Sequence, residues 1–381
     1  MENFVIYNPV KVHFGRGVVS KLGAAASALG RKALVVMGKG SSRTNGSFDQ
    51  SLASLKAAGV EVVIYEGIRS NPVIEDVDKA AELGRKEKVD MVVAVGGGSV
   101  LDSAKIIAIT IPANHSGWAF VDGDKKPTKA LPILGVLTLA ATGSEMNAYA
   151  VVQNNKLKKK IGYGHQLIFP RHSFLDPEFT TGVPLDYTAY GIADLIAHAL
   201  EAWFGQGESS LADRFIASII LEAMEYGPQL LKNPGDYQLR AKIMYAATMA
   251  LNGLTVQGKK SQDWGVHALG HCLSVQWDIP HGASLTIAYP AWLELHKNRI
   301  PDRISQLGEA IFGVDKPDQI IHELKSFFRA LQCPVNLEQA GVRVQKKELD
   351  ELLDVFRINK AEGIFHPLTA EDHSLLAKAM C

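Results

Sequence analysis

The feature that most constrains this chain is the alternation, through its first half, of short β-branched runs with helix-like stretches. Lys32–Met37 (KALVVM) is followed by SFDQSLASLKAAG, then Val62–Tyr65, a helical pattern from Ile74 to Lys88, and the apolar run Val89–Val95. Strands separated by helices pair as a parallel sheet covered on both faces. A further strand is predicted at Leu131–Leu137, and between Lys156 and Phe174 the pattern turns irregular, with strand-like pieces. After the turn-rich segment LDPEFTTGVPLDYT the period changes. TAYGIADLIAHALEAWF, LADRFIASIILEAMEYGPQLL and LRAKIMYAATMALNGL place apolar residues at three-to-four spacing, one face of a helix each. The expectation is an α/β domain over residues 1–183 and an all-helical domain over 184–381, with chemistry in the cleft between them.

Composition excludes several functions. Forty Lys and Arg balance forty Asp and Glu, so no net field draws the chain to nucleic acid or to anionic lipid. Cys272, Cys333 and Cys381 are the only cysteines, an odd number without paired spacing, which points to a reducing, cytoplasmic compartment. The start, MENFVIYNPVKVHF, lacks the long apolar core of a signal peptide, and no apolar run approaches the ~18 residues of a membrane span. No repeat or low-complexity tract is present.

Gly96, Gly97, Gly98 and Ser99 follow the apolar run MVVAV and precede VLDSAKIIAI. A glycine turn between strand and helix aims backbone amides and a helix N-terminus outward, which suits a phosphate, although GGGS is not the GxGxxG fingerprint. Asp102 and Lys105, farther along that helix, read as no more than a surface pair and stay outside the site.

Asp194 and His198 are four apart in a helical stretch and therefore share a face. His267 and His271 repeat the spacing in DWGVHALGHCLSV, and His281 follows in DIPHGAS. Each histidine alone is more often a satisfied core residue. Together, one carboxylate and three imidazoles form a donor set for Fe(II) or Zn(II) rather than Mg or Ca. Spacing leaves open whether His271 or His281 is the fourth ligand.

These residues, with GGGSVLDSAK, TLAATGSEMNAY, NPVKVHFGRG and LDPEFT, resemble the iron-containing (group III) alcohol dehydrogenases, nearest to the NADP-dependent butanol dehydrogenase and broad aldehyde reductase branch. The likeness covers nearly the whole chain. It implies the dehydroquinate synthase-like fold, with an N-terminal dinucleotide domain and a C-terminal helical domain. It also implies metal ligation by Asp194, His198, His267 and His281, and places His271 beside the nicotinamide as candidate proton relay. Gly97, Gly98 and Ser99 match the pyrophosphate loop, and Asn71, Thr138, Thr142, Asn147 and Lys160 match further cofactor contacts. By analogy the chain forms a homodimer.

Nucleotide choice rests on MGKGSSRTNG, where no acid stands between Gly38 and Ser47 to bind a ribose diol. Gly38, Lys39, Ser41 and Ser42, with Arg43 nearby, offer positive charge and hydroxyls to a 2′-phosphate, so NADP is expected over NAD. The expected reaction is reversible oxidation of a primary alcohol to its aldehyde. A carbon–oxygen lyase of the dehydroquinate synthase kind is the rival, but GIADLIAHALEAWF and WGVHALGHCLSV lack the bases that an acidic phosphorylated substrate needs. A nucleotide-sensing protein without catalysis would not need four metal-type residues.

Overall fold

The computed structural model describes residues 1–381. The chain forms two compact units that interleave in sequence: a sheet unit of Tyr7–Val183 with Pro234–Thr248, and a helical unit of Met1–Ile6, Pro184–Asn233 and Met249–Cys381.

The sheet unit contains strands β1 (Lys11–Phe14), β2 (Lys32–Gly38), β3 (Glu61–Ile68), β4 (Met91–Gly96), β5 (Ile133–Leu137), β6 (Tyr149–Asn154), β7 (Lys159–Gly164) and β8 (His172–Leu175). Six of them form a parallel sheet in the order β1-β8-β5-β4-β2-β3, and β6 with β7 makes a separate antiparallel hairpin. Its helices are α1 (Leu22–Ser27), α2 (Ser41–Thr44), α3 (Ser47–Ala57), α4 (Ile74–Lys86), α5 (Gly98–Thr110) and α6 (Trp118–Val121). The central strands are continuously apolar because both faces are covered. Leu34, Val36, Val92 and Ala94 enter one core, while Ala33, Val35, Met37, Met91, Val93 and Val95 enter the other.

The remaining helices are α7 (Leu185–Trp203), α8 (Ser210–Lys232), α9 (Tyr237–Ala250), α10 (Gly265–Trp277), α11 (His281–His296), α12 (Pro301–Ile311), α13 (Pro317–Ala330), α14 (Lys346–Asn359) and α15 (Ala370–Ala379). Most of α9 belongs to the sheet unit rather than to an uninterrupted helical half. Its Met244 lies in the sheet core, and its Thr248 hydroxyl donates to the buried Glu145 carboxylate at 2.6 Å.

Candidate metal centre and cofactor loop

α7, α10 and α11 bring the proposed ligands together within the helical unit. Asp194 and His198 lie one turn apart on α7, His267 is in the first turn of α10, and His281 opens α11 directly after Pro280. Gly282 permits the close approach. A Cβ there would lie 2.1 Å from the Tyr190 carbonyl oxygen, so only a glycine lets α11 start against the backbone of α7.

One carboxylate oxygen is the focus of the arrangement. Asp194 Oδ1 lies 3.4 Å from His198 Nδ1, 3.5 Å from His281 Nε2 and 3.8 Å from His267 Nε2. Asp194, His267 and His281 bring ligand atoms within 4.8 Å of one another, a spacing that His198 does not share with all three. Asp194 Oδ1, His198 Nδ1 and His267 Nε2 are all buried without a hydrogen-bond partner. Buried polar atoms that converge unspent are costly unless something else satisfies them, so this donor set fits a divalent cation.

The electrostatics agree. Burial alone would raise the Asp194 carboxyl, but His198, His281 and His267 hold it well below its usual range. Burial pushes His198 down to about 4, against the pull of Asp194, which leaves a neutral ring with a lone pair to give. Burial would also lower His267, yet Asp194 and Glu201 outweigh it and raise that ring to about 9. A proton on His267 answers the same negative charge that a bound cation would.

His271 is buried on α10 and lies outside the three-residue cluster, its ring 5.2 Å from that of His281. Glu201 is a further residue of the site, beyond those that the sequence motifs single out. It is buried on α7 and accepts from His267 Nδ1 at 2.8 Å, from the His267 amide at 3.0 Å and from the Trp264 amide at 2.5 Å. A signal for it was present, because Asp194, His198 and Glu201 follow one another at i, i+4 and i+7, one face of a helix.

In the sheet unit, Gly97 caps α5 at the carboxyl end of β4, and no side chain bonds the first amides of that helix. Thr142 packs so close that a Cβ on Gly98 would sit 2.5 Å from its methyl carbon. The loop carrying Thr138 and Thr142 thus folds over the helix N-terminus, a setting for a pyrophosphate. Thr138 donates its amide to the Gly96 carbonyl at 3.0 Å, and the Ser99 hydroxyl donates to the Ser70 carbonyl. Lys160 on β7 reaches across to Asn71, Nζ to Oδ1 at 2.9 Å, both side chains being buried.

Asn147 has a different job from the one expected. Its Oδ1 accepts from Lys105 Nζ at 2.9 Å and from the Tyr149 amide at 2.9 Å, and its Nδ2 donates to the Gly143 carbonyl at 2.8 Å. This side chain braces its own loop and has little left to offer a cofactor. Nor are Asp102 and Lys105 a surface pair. Both are buried, and Lys105 Nζ also donates to Ser144 Oγ at 2.8 Å and to the Tyr149 carbonyl at 2.6 Å.

At the end of β2, Gly38 pairs with Ile68, and Lys39 and Ser41 are exposed. Ser42 is not available to a phosphate: it is buried, and its hydroxyl donates to the Val95 carbonyl at 2.9 Å. An acid that sequence order concealed also reaches this region. Glu66 on β3 pairs with Met37 in register and binds Arg43 at 2.7 Å, which takes Arg43 out of the free charge.

Comparison with known proteins gives the family. The family model "Iron-containing alcohol dehydrogenase" matches residues 9–177, and "Fe-containing alcohol dehydrogenase family, C-terminal" matches 188–372. The probable NADH-dependent butanol dehydrogenase 1 of Bacillus subtilis is 35% identical over 100% of both chains. The NADPH-dependent aldehyde reductase YqhD of Escherichia coli is 35% identical over 90% of each. The crystal structure of NADH-dependent butanol dehydrogenase A from Thermotoga maritima superposes with a TM-score of 0.96 at 36% identity, covering 100% of this chain and 99% of that one. The relatives are dehydrogenases and reductases, so the lyase alternative is not favoured, and their names divide between NADH and NADPH. The chain belongs to the iron-containing alcohol dehydrogenase family.

Proposed function

We propose that this enzyme interconverts primary alcohols and their aldehydes, using NADP and a divalent cation, Fe2+ or Zn2+, held by Asp194, His198, His267 and His281. The observation that carries the reading is the meeting of three imidazole nitrogens within 3.8 Å of the single oxygen Asp194 Oδ1. When bound, the cation supplies Lewis-acid polarisation of the substrate oxygen, and the nicotinamide supplies the hydride acceptor or donor.

The chain's own residues bind, orient and shield. Burial of Asp194, His198 and His267 excludes water from the donor set and strengthens each interaction there. His271 carries the substrate proton at a ring nitrogen, since it lies beside a ligand without belonging to the cluster. In the sheet unit, the amides at Gly98 and Ser99 receive the pyrophosphate, with Thr138, Thr142 and the Asn71–Lys160 pair as neighbouring contacts.

NADP is favoured by the exposed Lys39 and Ser41, with Ser42 withdrawn from that set. A small-molecule partner rather than nucleic acid accords with the zero net charge. The absence of any disulfide among Cys272, Cys333 and Cys381 supports a cytoplasmic location, and no helix is long and apolar enough to cross a membrane. An exposed apolar run at Phe4, Val5, Ile6 and Tyr7 supports a homodimer. The test is metal analysis of the purified protein together with oxidation of NADPH and of NADH across a panel of aldehydes. Stoichiometric Fe or Zn with faster NADPH oxidation is expected. Turnover that is independent of metal would overturn the ligand reading, and faster NADH oxidation would overturn the cofactor reading.

A further inference from the structure

We infer that Glu201 is a positioning residue for the metal centre, fixing both the tautomer and the direction of His267; the inference rests on the metal-site reading above. Glu201 is 1% exposed, and both of its carboxylate oxygens are spent as acceptors: Oε1 takes the His267 amide and Nδ1, and Oε2 takes the Trp264 amide. A carboxylate facing Nδ1 requires the hydrogen on that nitrogen, so the lone pair of a neutral His267 lies on Nε2. Nε2 is the atom turned to Asp194 Oδ1 at 3.8 Å. Fixing one ring nitrogen with a carboxylate raises the basicity of the other and removes its rotational freedom.

The same carboxylate organises the backbone beneath the ring. Trp264 is the N-cap of α10 and has φ 66 and ψ 4, a left-handed conformation costly for a bulky residue, and it makes no side-chain cap. Glu201 supplies the missing cap from α7, bonding the N-cap amide and the amide three residues on. Glu201 thus holds the strained turn and aims the ligand, and it starts the helix together with Asp263, whose Oδ2 takes the Gly265 amide at 3.2 Å. Because Glu201 shares a face of α7 with Asp194 and His198, it transmits the position of those two ligands to the third.

The test uses the full-length protein stripped of metal and titrated with Zn2+ against a chromophoric chelator, with Co2+ in a parallel titration read by its visible absorption. Glu201→Gln keeps an acceptor oxygen for His267 but presents an amide N–H2 to Trp264. It should lower Zn2+ affinity by about 10-fold or more and alter the Co2+ spectrum, with a melting temperature of the metal-free protein close to the parent's. Parental affinity and spectrum in Glu201→Gln would overturn the inference. So would an affinity loss that simply follows a fall in metal-free melting temperature, which marks a purely structural role. His267→Ala separates the two levels: if it binds Zn2+ as well as the parent, the metal-site reading itself fails, and Glu201's role with it.

Discussion

The helical unit and the sheet unit each bury a cluster of charged side chains, and they treat the charge in opposite ways. Around Lys105, the ammonium donates to Ser144, Asn147 and the Tyr149 carbonyl, while Asp102 accepts from Ser144 and the Val151 amide. Around Asp194, carboxylate and imidazole atoms converge at 3.4 to 3.8 Å, and three of them have no hydrogen-bond partner. The first network is closed upon itself and braces the loop from Thr138 to Tyr149. The second is open at its centre. Burial of charge alone does not identify a binding site; what identifies it is a set of aligned donor atoms that the fold leaves unspent.

The comparison breaks most sharply at the open cluster. His281→Ala removes one member of the donor set and should lower metal affinity more than 100-fold, beyond the range of outer-shell changes, with activity lost in parallel; elemental analysis after dialysis checks it. His271→Ala should keep the metal but lower kcat by about 100-fold and flatten its pH dependence. Equal metal loss in both variants would move His271 into the ligand set.

The closed cluster makes a different prediction. Burial lowers Lys105 to about 8, with Asp102 and Glu145 pulling the other way. The unfolded chain therefore binds more protons than the folded one between about pH 8 and the ordinary lysine range near 10.5, so stability rises with pH across that window. The penalty is present in full below the folded value and gone above the unfolded one. Lys105→Met should abolish this rise, on the order of 2 kcal/mol, in urea melts at pH 7.5 and pH 10. An identical pH slope in parent and variant would show that Lys105 is not desolvated.

The smallest effect belongs to the cofactor end of the sheet. Lys39→Asp replaces an attractive charge with a repulsive one and should shift the NADPH-to-NADH ratio of kcat/KM about tenfold or more at fixed ionic strength. An unmoved ratio would place the nucleotide choice elsewhere, with Glu66 the first residue to examine.

Much of this was legible in the order of residues. Continuous apolar runs located the central strands, because a strand buried on both faces must be apolar throughout, and three-to-four spacing located the long helices. The ligand spacings were legible for the same geometric reason. What escaped were properties of packing. β1 is four residues long at a sheet edge and carries almost no pattern. α9 reads as a helix from its period, but a period does not say which core it joins. α5 is apolar on nearly every side, so a lysine within it had to be buried, a signal that a pairwise reading of Asp102 and Lys105 passed over. Ser42 is a phosphate partner by residue type and Asn147 a cofactor contact by resemblance, but short polar side chains are as readily used to tie their own loops.

The interleaving of the two units has a consequence for biosynthesis. Neither unit is a continuous piece of chain: Met244 and Thr248 belong to the sheet unit, yet they are translated after the segment from Pro184 to Asn233, which belongs to the other. A nascent chain halted at residue 183 holds all eight strands but leaves Glu145 buried without the hydroxyl of Thr248. The sheet unit therefore cannot be completed from the N-terminus outward, and a fragment cut at Pro184 should emerge as an unfinished core rather than as a free-standing domain.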